Sequence, residues 1–192
     1  EAGADVVVCD RLRDQDKWRN LGKRRLADLA APDRLFEVLR RHAGRVRAIV
    51  HMGAISSTTA ADGDLVADTN FRLSKELWEW CAAQGVPFIY ASSAATYGDG
   101  QQGFAEDWSE TGLALLRPII LYGWSKHLFD RWVAHAVATG AAAPPQWAGL
   151  KFFNVYGPNE YHKGEMRSLV AKLYPRLAAG EPARLFRSHR PD

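Results

Sequence analysis

The chain has 192 residues, of which 47% are hydrophobic and 24% are charged. This composition is typical of a globular protein with one sizeable core and argues against an intrinsically disordered chain. The net charge of +3 comes from basic residues that are mostly interleaved with acidic ones, which is typical of a solvated surface and predicts no nucleic-acid partner.

Short apolar strands alternate with helices along the first 156 residues. The predicted strands cover residues 4–10, 46–51, 86–91 and 150–155. The predicted helices cover residues 33–42, 65–83 and 122–138. This alternation predicts an α/β fold with a mainly parallel sheet and right-handed crossovers. From residue 157 to residue 192 the pattern changes to a polar loop and a helix near residues 166–179, which predicts the start of a smaller substrate-binding region.

The segment from Tyr122 to Lys126 (YGWSK) opens the third of these helices. Its four-residue spacing places the phenol and the ammonium on adjacent turns of one helix face. A lysine ammonium near a phenol favours the phenolate, which is a usable general base. The same spacing also occurs in helices without a catalytic role, so the pair alone supports both a catalytic and a purely structural interpretation.

A serine-rich segment, Ala91 to Gly98 (ASSAATYG), follows a predicted strand. Open α/β sheets place their sites at the carboxyl ends of strands, although a Ser-Ser-Ala run is also common in tight turns. The strand-end serine and the helix-start tyrosine and lysine resemble the catalytic triad of the extended short-chain dehydrogenases/reductases. The resemblance implies a Rossmann-like, doubly wound sheet in which Tyr122 removes a hydroxyl proton, Ser93 positions the oxygen and Lys126 binds the nicotinamide ribose.

Two further segments narrow the resemblance to nucleotide-sugar epimerases, and among them to ADP-heptose 6-epimerases. They are His51 to Thr59 (HMGAISSTT) and Asn154 to Gly164 (NVYGPNEYHKG). The resemblance implies that C6 of ADP-D-glycero-D-manno-heptose is transiently oxidised with tightly bound NADP and then reduced on its opposite face. The product would be the L-glycero epimer, a precursor of the lipopolysaccharide core. Lys163 would be the second catalytic acid or base.

The same resemblance implies a set of cofactor contacts, with NADP favoured over NAD. Asp10 ends the first predicted strand and could accept a hydrogen bond from the adenosine ribose, although an acid at this place is commonly a simple turn residue. Arg11, Arg13 and Lys17 could neutralise a 2′-phosphate. The other implied cofactor residues are Met52, Gly53, Ala54, Ile55, Ser56, Asn70, Tyr122, Lys126, Val155 and Lys163.

The implied substrate contacts lie mainly in the last forty residues. They are Ser93, Asn154, Glu165, Lys172, Phe186, Arg187, Ser188 and His189. The basic segment from Arg187 to Arg190 (RSHR) is equally consistent with a diphosphate clamp and with a solvated loop.

The resemblance also implies that the family's first strand and its GxxGxxG turn precede Glu1, since no such turn occurs in the 192 residues. It likewise implies that the substrate-binding region continues beyond Asp192. A phosphate-binding turn at a helix N-terminus contributes much of the affinity for a dinucleotide. We therefore expect these residues alone to bind NADP weakly and to show no turnover.

Three other functions stay open. A UDP-sugar 4-epimerase would share the Ser, Tyr and Lys residues but not Lys163 and its loop. A dTDP-sugar dehydratase usually has an acidic pair where this chain has Ala94 and Ala95. A non-catalytic NADP-binding regulator shares the fold but does not need an intact triad.

Cysteine usage and hydropathy add predictions about surroundings and partners. Cys9 and Cys81 are far apart and have no His or Cys at metal-binding spacing, so neither a disulfide framework nor a metal site is predicted. No apolar run approaches the roughly 20 residues of a membrane span, and the chain does not begin with a signal-peptide pattern. We expect a cytoplasmic protein with no membrane partner, which is homo-oligomeric when complete.

Overall fold

The computed structural model describes residues 3–13 and 16–185. They divide into two compact units. Unit 1 combines Glu1–Pro32 with Asn154–Asp192, and unit 2 spans Asp33–Phe153. The predicted domain boundary after residue 156 stays a prediction.

The described residues form an α/β structure, as predicted. The strands are β1 (Val7–Cys9), β2 (Asp28–Ala30), β3 (Ile49–His51), β4 (Phe88–Ser93) and β5 (Trp147–Phe152). The α-helices are α1 (Leu35–Arg41), α2 (Gly63–Val66), α3 (Leu73–Gln84), α4 (Glu110–Leu115), α5 (Leu121–Ala138) and α6 (Leu169–Ala178). Four 3₁₀ segments, Asp16–Asn20, Pro32–Arg34, Ala94–Tyr97 and Tyr161–Met166, complete the described elements together with a π-helical segment, Ala67–Arg72.

Every strand pair in the described residues is parallel. In unit 1, β1 pairs with β2. In unit 2 the strand order is β3-β4-β5, so β4 is paired on both sides. Parallel neighbours need a crossover connection, and the helices between these strands supply it.

The core of unit 2 forms where the helices pack on this sheet. Trp78 and Phe88 are fully buried with their rings edge to face, at a centroid distance of 6.1 Å. Tyr90 and Phe129 make a second edge-to-face pair at 4.8 Å. Such aromatic pairs contribute about 0.5–1.5 kcal/mol beyond the area they bury. They join α3 and α5 to β4, the strand whose carboxyl end carries the serines.

A continuous helical rod from residue 63 to residue 84 consists of α2, the π segment and α3. Its start is capped by Asp62, whose side chain accepts a hydrogen bond from the Leu65 backbone N–H at 2.9 Å. Its end is set by Gly85, which has a left-handed φ of 65°. The π segment widens one turn of the rod, and such turns are frequent at functional sites.

Two features differ from the sequence prediction. The last strand of unit 2 begins at Trp147 and ends at Phe152, three residues earlier than predicted. The apolar residues Phe153 and Val155 led to a predicted strand end at residue 155, but they are 59% and 61% exposed and lie beyond the strand. The strand β2 and the helix α4 were not predicted.

Candidate active site

Ser93 ends the central strand β4 at the carboxyl edge of the sheet. Its side chain is buried, and its Oγ accepts a hydrogen bond from the Ala95 backbone N–H at 3.1 Å. The Thr96 hydroxyl donates to the Ser93 carbonyl at 2.8 Å, which fixes the turn that follows. Because Ser93 Oγ accepts in this turn, its own hydrogen can be donated to a substrate oxygen.

The neighbouring Ser92 has a different environment, because successive side chains of a strand point to opposite faces. Its Oγ donates to the carboxylate of Asp130 at 2.6 Å, in the interior. The hydroxyl of Ser92 is therefore occupied in the interior, whereas that of Ser93 keeps its hydrogen available; the role of Ser93 in the site stays a prediction.

Tyr122 and Lys126 lie in the first two turns of α5, as their spacing predicts. The start of α5 approaches the serine turn closely because residue 123 is glycine. A Cβ atom built on Gly123 would lie 2.6 Å from the Ala95 carbonyl oxygen. The missing side chain lets the helix carrying Tyr122 pack directly on the turn that follows Ser93.

Lys126 is buried, with only 4% of its surface exposed. Burial lowers the pKa of Lys126 to about 8, and the negative charge of Asp130, one turn further along α5, acts in the opposite direction. Lys126 is therefore still mostly protonated at neutral pH, so it supplies a positive charge at the start of α5.

An asparagine connects this helix start with the loop that follows β3. Asn70 is fully buried in the π segment. Its amide accepts from the Ile55 backbone N–H at 2.8 Å and donates to the Ile55 carbonyl at 3.0 Å. It also donates to Ser125 Oγ at 2.9 Å, and that hydroxyl donates to the Tyr122 carbonyl at 2.7 Å. Asn70 thus fixes the backbone of the loop at residues 52–56, which was predicted to contact the cofactor, relative to the start of α5.

The rest of that loop is accessible. Met52 is 45% exposed, Gly53 and Ser56 are exposed, and Ala54 is half-buried. A loop with a fixed backbone and an open surface at the carboxyl end of a strand is suited to contact a ligand. Direct contacts of these residues, and of Asn70, with the cofactor stay predictions.

His51 ends β3 and is buried beneath this loop. Its Nε2 lies 3.0 Å from Ser74 Oγ, and that hydroxyl donates to the Asn70 carbonyl at 2.7 Å. Since Ser74 has only one hydrogen, His51 Nε2 is the donor. Burial, with a smaller contribution from the Lys126 charge, lowers the pKa of His51 to about 4, so its ring is neutral at pH 7.

A buried ion pair that the sequence analysis missed lies beneath the serine strand. Asp130 is fully buried and accepts hydrogen bonds from Tyr90 at 3.1 Å and from Lys151 at 2.9 Å, in addition to Ser92. Lys151 also donates to Thr96 Oγ1 at 2.8 Å. The pair joins β4, α5 and β5 under the turn that holds Ser93. The one sequence signal was the position of Asp130, four residues after Lys126 on the same helix face.

Unit 1 contains the residues assigned to the adenosine end of the cofactor. Asp10 follows β1, and its carboxylate accepts from Lys17 Nζ at 3.0 and 3.1 Å and from the Arg11 backbone N–H at 2.7 Å. A cavity of about 250 Å³ is lined by Asp10, Leu12, Lys17, Asn20, Leu21 and His162. The buried Oδ1 of Asn20 has no hydrogen-bond partner among the described residues.

The same unit contains Lys163, in the 3₁₀ segment Tyr161–Met166. Its side chain is 43% exposed, and its Nζ lies 3.9 Å from Glu160 Oε2. Gly164, which follows it, has a φ of 51°, a left-handed conformation that favours glycine.

The remaining predicted contact residues divide into two groups. Asn154, predicted to contact the substrate, and Val155, predicted to contact the cofactor, are exposed in the segment after β5, and Glu165 and Lys172 are paired with each other at 3.1 Å. Phe186, Arg187, Ser188 and His189 lie outside the described residues. The contacts of both groups with substrate or cofactor stay predictions.

Residues 3–13 and 16–185 contain no group of three or more His, Cys, Asp or Glu side chains arranged to hold a metal ion. None of the helices in these residues is long and apolar enough to cross a membrane.

Known proteins resemble this chain over nearly its whole length. The family model described as "NAD dependent epimerase/dehydratase family" matches residues 1–191. Two curated relatives are ADP-L-glycero-D-manno-heptose-6-epimerases. That of Fusobacterium nucleatum is 44% identical over 188 residues, which is 97% of this chain and 55% of the relative. That of Nitratidesulfovibrio vulgaris strain Hildenborough is 46% identical over 191 residues, which is 98% of this chain and 57% of the relative. The chain therefore spans a little more than half the length of the curated relatives it matches.

Two solved structures extend the comparison. The ADP-L-glycero-D-manno-heptose-6-epimerase of Helicobacter pylori is similar with a TM-score of 0.74 and 29% identity, over 96% of this chain and 57% of that one. The UDP-glucose 4-epimerase of Thermotoga maritima, solved with UDP-glucose, is similar with a TM-score of 0.71 and 26% identity, over 96% of this chain and 59% of that one.

Proposed function

This chain belongs to the NAD dependent epimerase/dehydratase family, and from that membership we propose that the full-length protein is an enzyme that inverts C6 of the heptose in ADP-D-glycero-D-manno-heptose. The observation that carries the proposal is the 44% and 46% identity to curated heptose 6-epimerases over nearly the whole chain. The biological role would be the synthesis of a lipopolysaccharide core precursor.

The family name indicates a nicotinamide dinucleotide cofactor, and NADP is our finer proposal. The cavity in unit 1 suits the ribose end of such a molecule. The Asp10 carboxylate is an acceptor for ribose hydroxyl groups, and Lys17 offers a positive charge to a 2′-phosphate. When bound, the dinucleotide supplies reversible oxidation of the C6 carbon.

The proposed first step uses three residues of unit 2. Tyr122 takes the proton of the C6 hydroxyl as a general base. Ser93 donates a hydrogen bond that orients the same oxygen. Lys126, protonated at neutral pH and buried on the next turn of the helix, supplies a positive charge at the start of α5 and would bind the nicotinamide ribose.

The proposed second step requires a proton donor on the other face of the oxidised carbon, because inversion needs reduction from the opposite side. We assign this role to Lys163 on the strength of the resemblance of its loop. Asn154 and the basic segment after residue 186 would hold the sugar diphosphate. The cytoplasmic location and the homo-oligomeric state stay predictions.

The test uses the full-length protein with ADP-D-glycero-D-manno-heptose, and inversion at C6 is followed by proton NMR. We expect inversion by the wild type and its loss in both Tyr122→Phe and Lys163→Met, because each variant lacks one of the two acid/base groups. Activity retained in Lys163→Met would contradict the second role. Interconversion of UDP-galactose instead of the heptose would assign the protein to the 4-epimerases.

The cofactor is identified separately. Protein purified without added dinucleotide is denatured, and the released cofactor is analysed by mass spectrometry. We expect NADP in near-stoichiometric amount, and Lys17→Met, which lacks the ammonium beside Asp10, should retain less of it. Release of NAD alone would refute the NADP assignment.

A further inference from the structure

The loop that carries Lys163 is closed by one carboxylate, that of Glu160. Its side chain is only 7% exposed. Oε1 accepts from the Gly157 backbone N–H at 3.0 Å and from Ser168 Oγ at 2.8 Å, and Oε2 accepts from the Ser168 backbone N–H at 2.7 Å. Residues at both ends of the loop are thus bonded to the same group.

These contacts continue into the helix that follows. Ser168 is the N-cap of α6, and its Oγ also accepts from the Ala171 backbone N–H at 3.1 Å. The hydrogen bonds from Ser168 are the main reason why the pKa of Glu160 is lowered to about 2. Glu160 is therefore a carboxylate throughout the physiological pH range, and the loop is closed by charge-assisted bonds.

Glu160 also holds Lys163 itself, at two points. The Lys163 backbone N–H donates to the Glu160 carbonyl at 2.9 Å. The Lys163 ammonium lies 3.9 Å from Glu160 Oε2. Gly164 turns the chain away directly after Lys163, so the direction of the lysine side chain depends on how this loop is held.

We propose that Glu160 is the positioning residue for Lys163: it closes the loop from residue 157 to residue 168 and so sets where the lysine ammonium is presented to the substrate. This inference rests on the proposed function, in which Lys163 is the second acid or base. Glu160 itself contacts no reacting atom and acts only through Lys163.

The first test is a double-mutant cycle on C6 inversion in the full-length protein, with Glu160→Gln, Lys163→Met and the double variant. Glutamine keeps the size of the side chain but replaces one accepting oxygen with an N–H₂ donor, so at least one loop contact is lost. We expect Glu160→Gln to lower kcat about tenfold or more, because small misplacements of a catalytic group are costly. In the Lys163→Met background, where only the residual slow inversion is measured over long incubations, Glu160→Gln should change the rate by less than about twofold.

The second test does not depend on activity. The rate at which Lys163 reacts with trinitrobenzenesulfonate is measured by peptide mass spectrometry. We expect this rate to change several-fold in Glu160→Gln and to stay unchanged in Glu181→Gln. Glu181 is a matched control because its exposed carboxylate pairs only with Arg176 in the described residues, at 2.9 Å. If Glu160→Gln does not fold, Ser168→Ala, which removes one contact to Oε1, should give a smaller change in the same direction.

The results distinguish the positioning role of Glu160 from the acid/base role of Lys163. Loss of inversion in Lys163→Met, with kcat and labelling unaffected by Glu160→Gln, overturns the positioning role and leaves the proposed function standing. An equal fall in kcat for Glu160→Gln in both backgrounds also overturns it, because the residue would then act without Lys163. Full activity of Lys163→Met overturns the proposed second base and this inference together.

Discussion

Replacing Gly123 with alanine tests whether the close packing of α5 on the serine turn is needed for activity. The added Cβ would lie 2.6 Å from the Ala95 carbonyl oxygen, and ordinary van der Waals contact begins at 3.4 Å. The helix start and the turn must therefore separate by about 0.8 Å, because the opposing atom belongs to the backbone and cannot rotate away. Overpacking of this size typically costs about 1–3 kcal/mol of stability.

The functional effect should be larger than the loss of stability suggests. Tyr122 moves with the helix while Ser93 stays with its strand, and a displacement near 1 Å between catalytic groups costs about a hundredfold in rate. We expect Gly123→Ala to lower kcat for C6 inversion by this order, measured by proton NMR on protein that remains folded by circular dichroism. The control is Gly63→Ala, since a Cβ there meets nothing within 4 Å. Unchanged kcat in Gly123→Ala would refute the packing argument.

Three further predictions concern buried ionisable side chains in unit 2. Asp130→Asn leaves Lys151 as a buried cation without its counter-ion, so the free energy of unfolding in urea should fall by about 3 kcal/mol. The same change removes the charge that raises the pKa of Lys126, so the alkaline limb of the activity profile should move to lower pH. Lys126→Met should be inactive but more stable, by up to about 3 kcal/mol at pH 7, because burial lowers the pKa of Lys126 from 10.5 to about 8. This gain should shrink as the pH rises from about 8 to 10.5, since the neutral lysine is no longer penalised. His127→Phe should unfold at the same or higher urea concentration at pH 7, because the buried Nδ1 has no partner among the described residues. Burial lowers the pKa of His127 to about 4, so the wild type should lose stability as the pH falls from 6.5 to 4, and the variant should lose less.

The sequence predicts best what depends on local periodicity. The helix predicted over residues 122–138 is α5, Leu121–Ala138, because its apolar residues recur at helical spacing. The start of β5 could not be predicted in this way. Glycine is unfavourable in a strand, so Gly149 argues locally against β5. Glycine is nevertheless required at this position, because a side chain there would lie 2.5 Å from the Tyr90 ring. That requirement comes from tertiary packing.

The same distinction holds within the site. The places of Ser93 at a strand end and of Lys126 near a helix start were predicted because both depend on short-range patterns. Asp130 and Lys151 are 21 residues apart, and a charged residue on a helix is usually solvated. Only the packing of α5 on the sheet reveals that these two charges neutralise each other.

The Asp130–Lys151 pair also constrains how this site can change over evolutionary time. A substitution of only one of the two residues leaves an unpaired charge in the protein interior, whereas replacing both with apolar residues of similar volume is often tolerated. The single variants are therefore less stable than either the ion pair or the apolar pair. We expect the two positions to covary among homologues, and we expect directed-evolution libraries that vary them one at a time to recover only the wild-type residues.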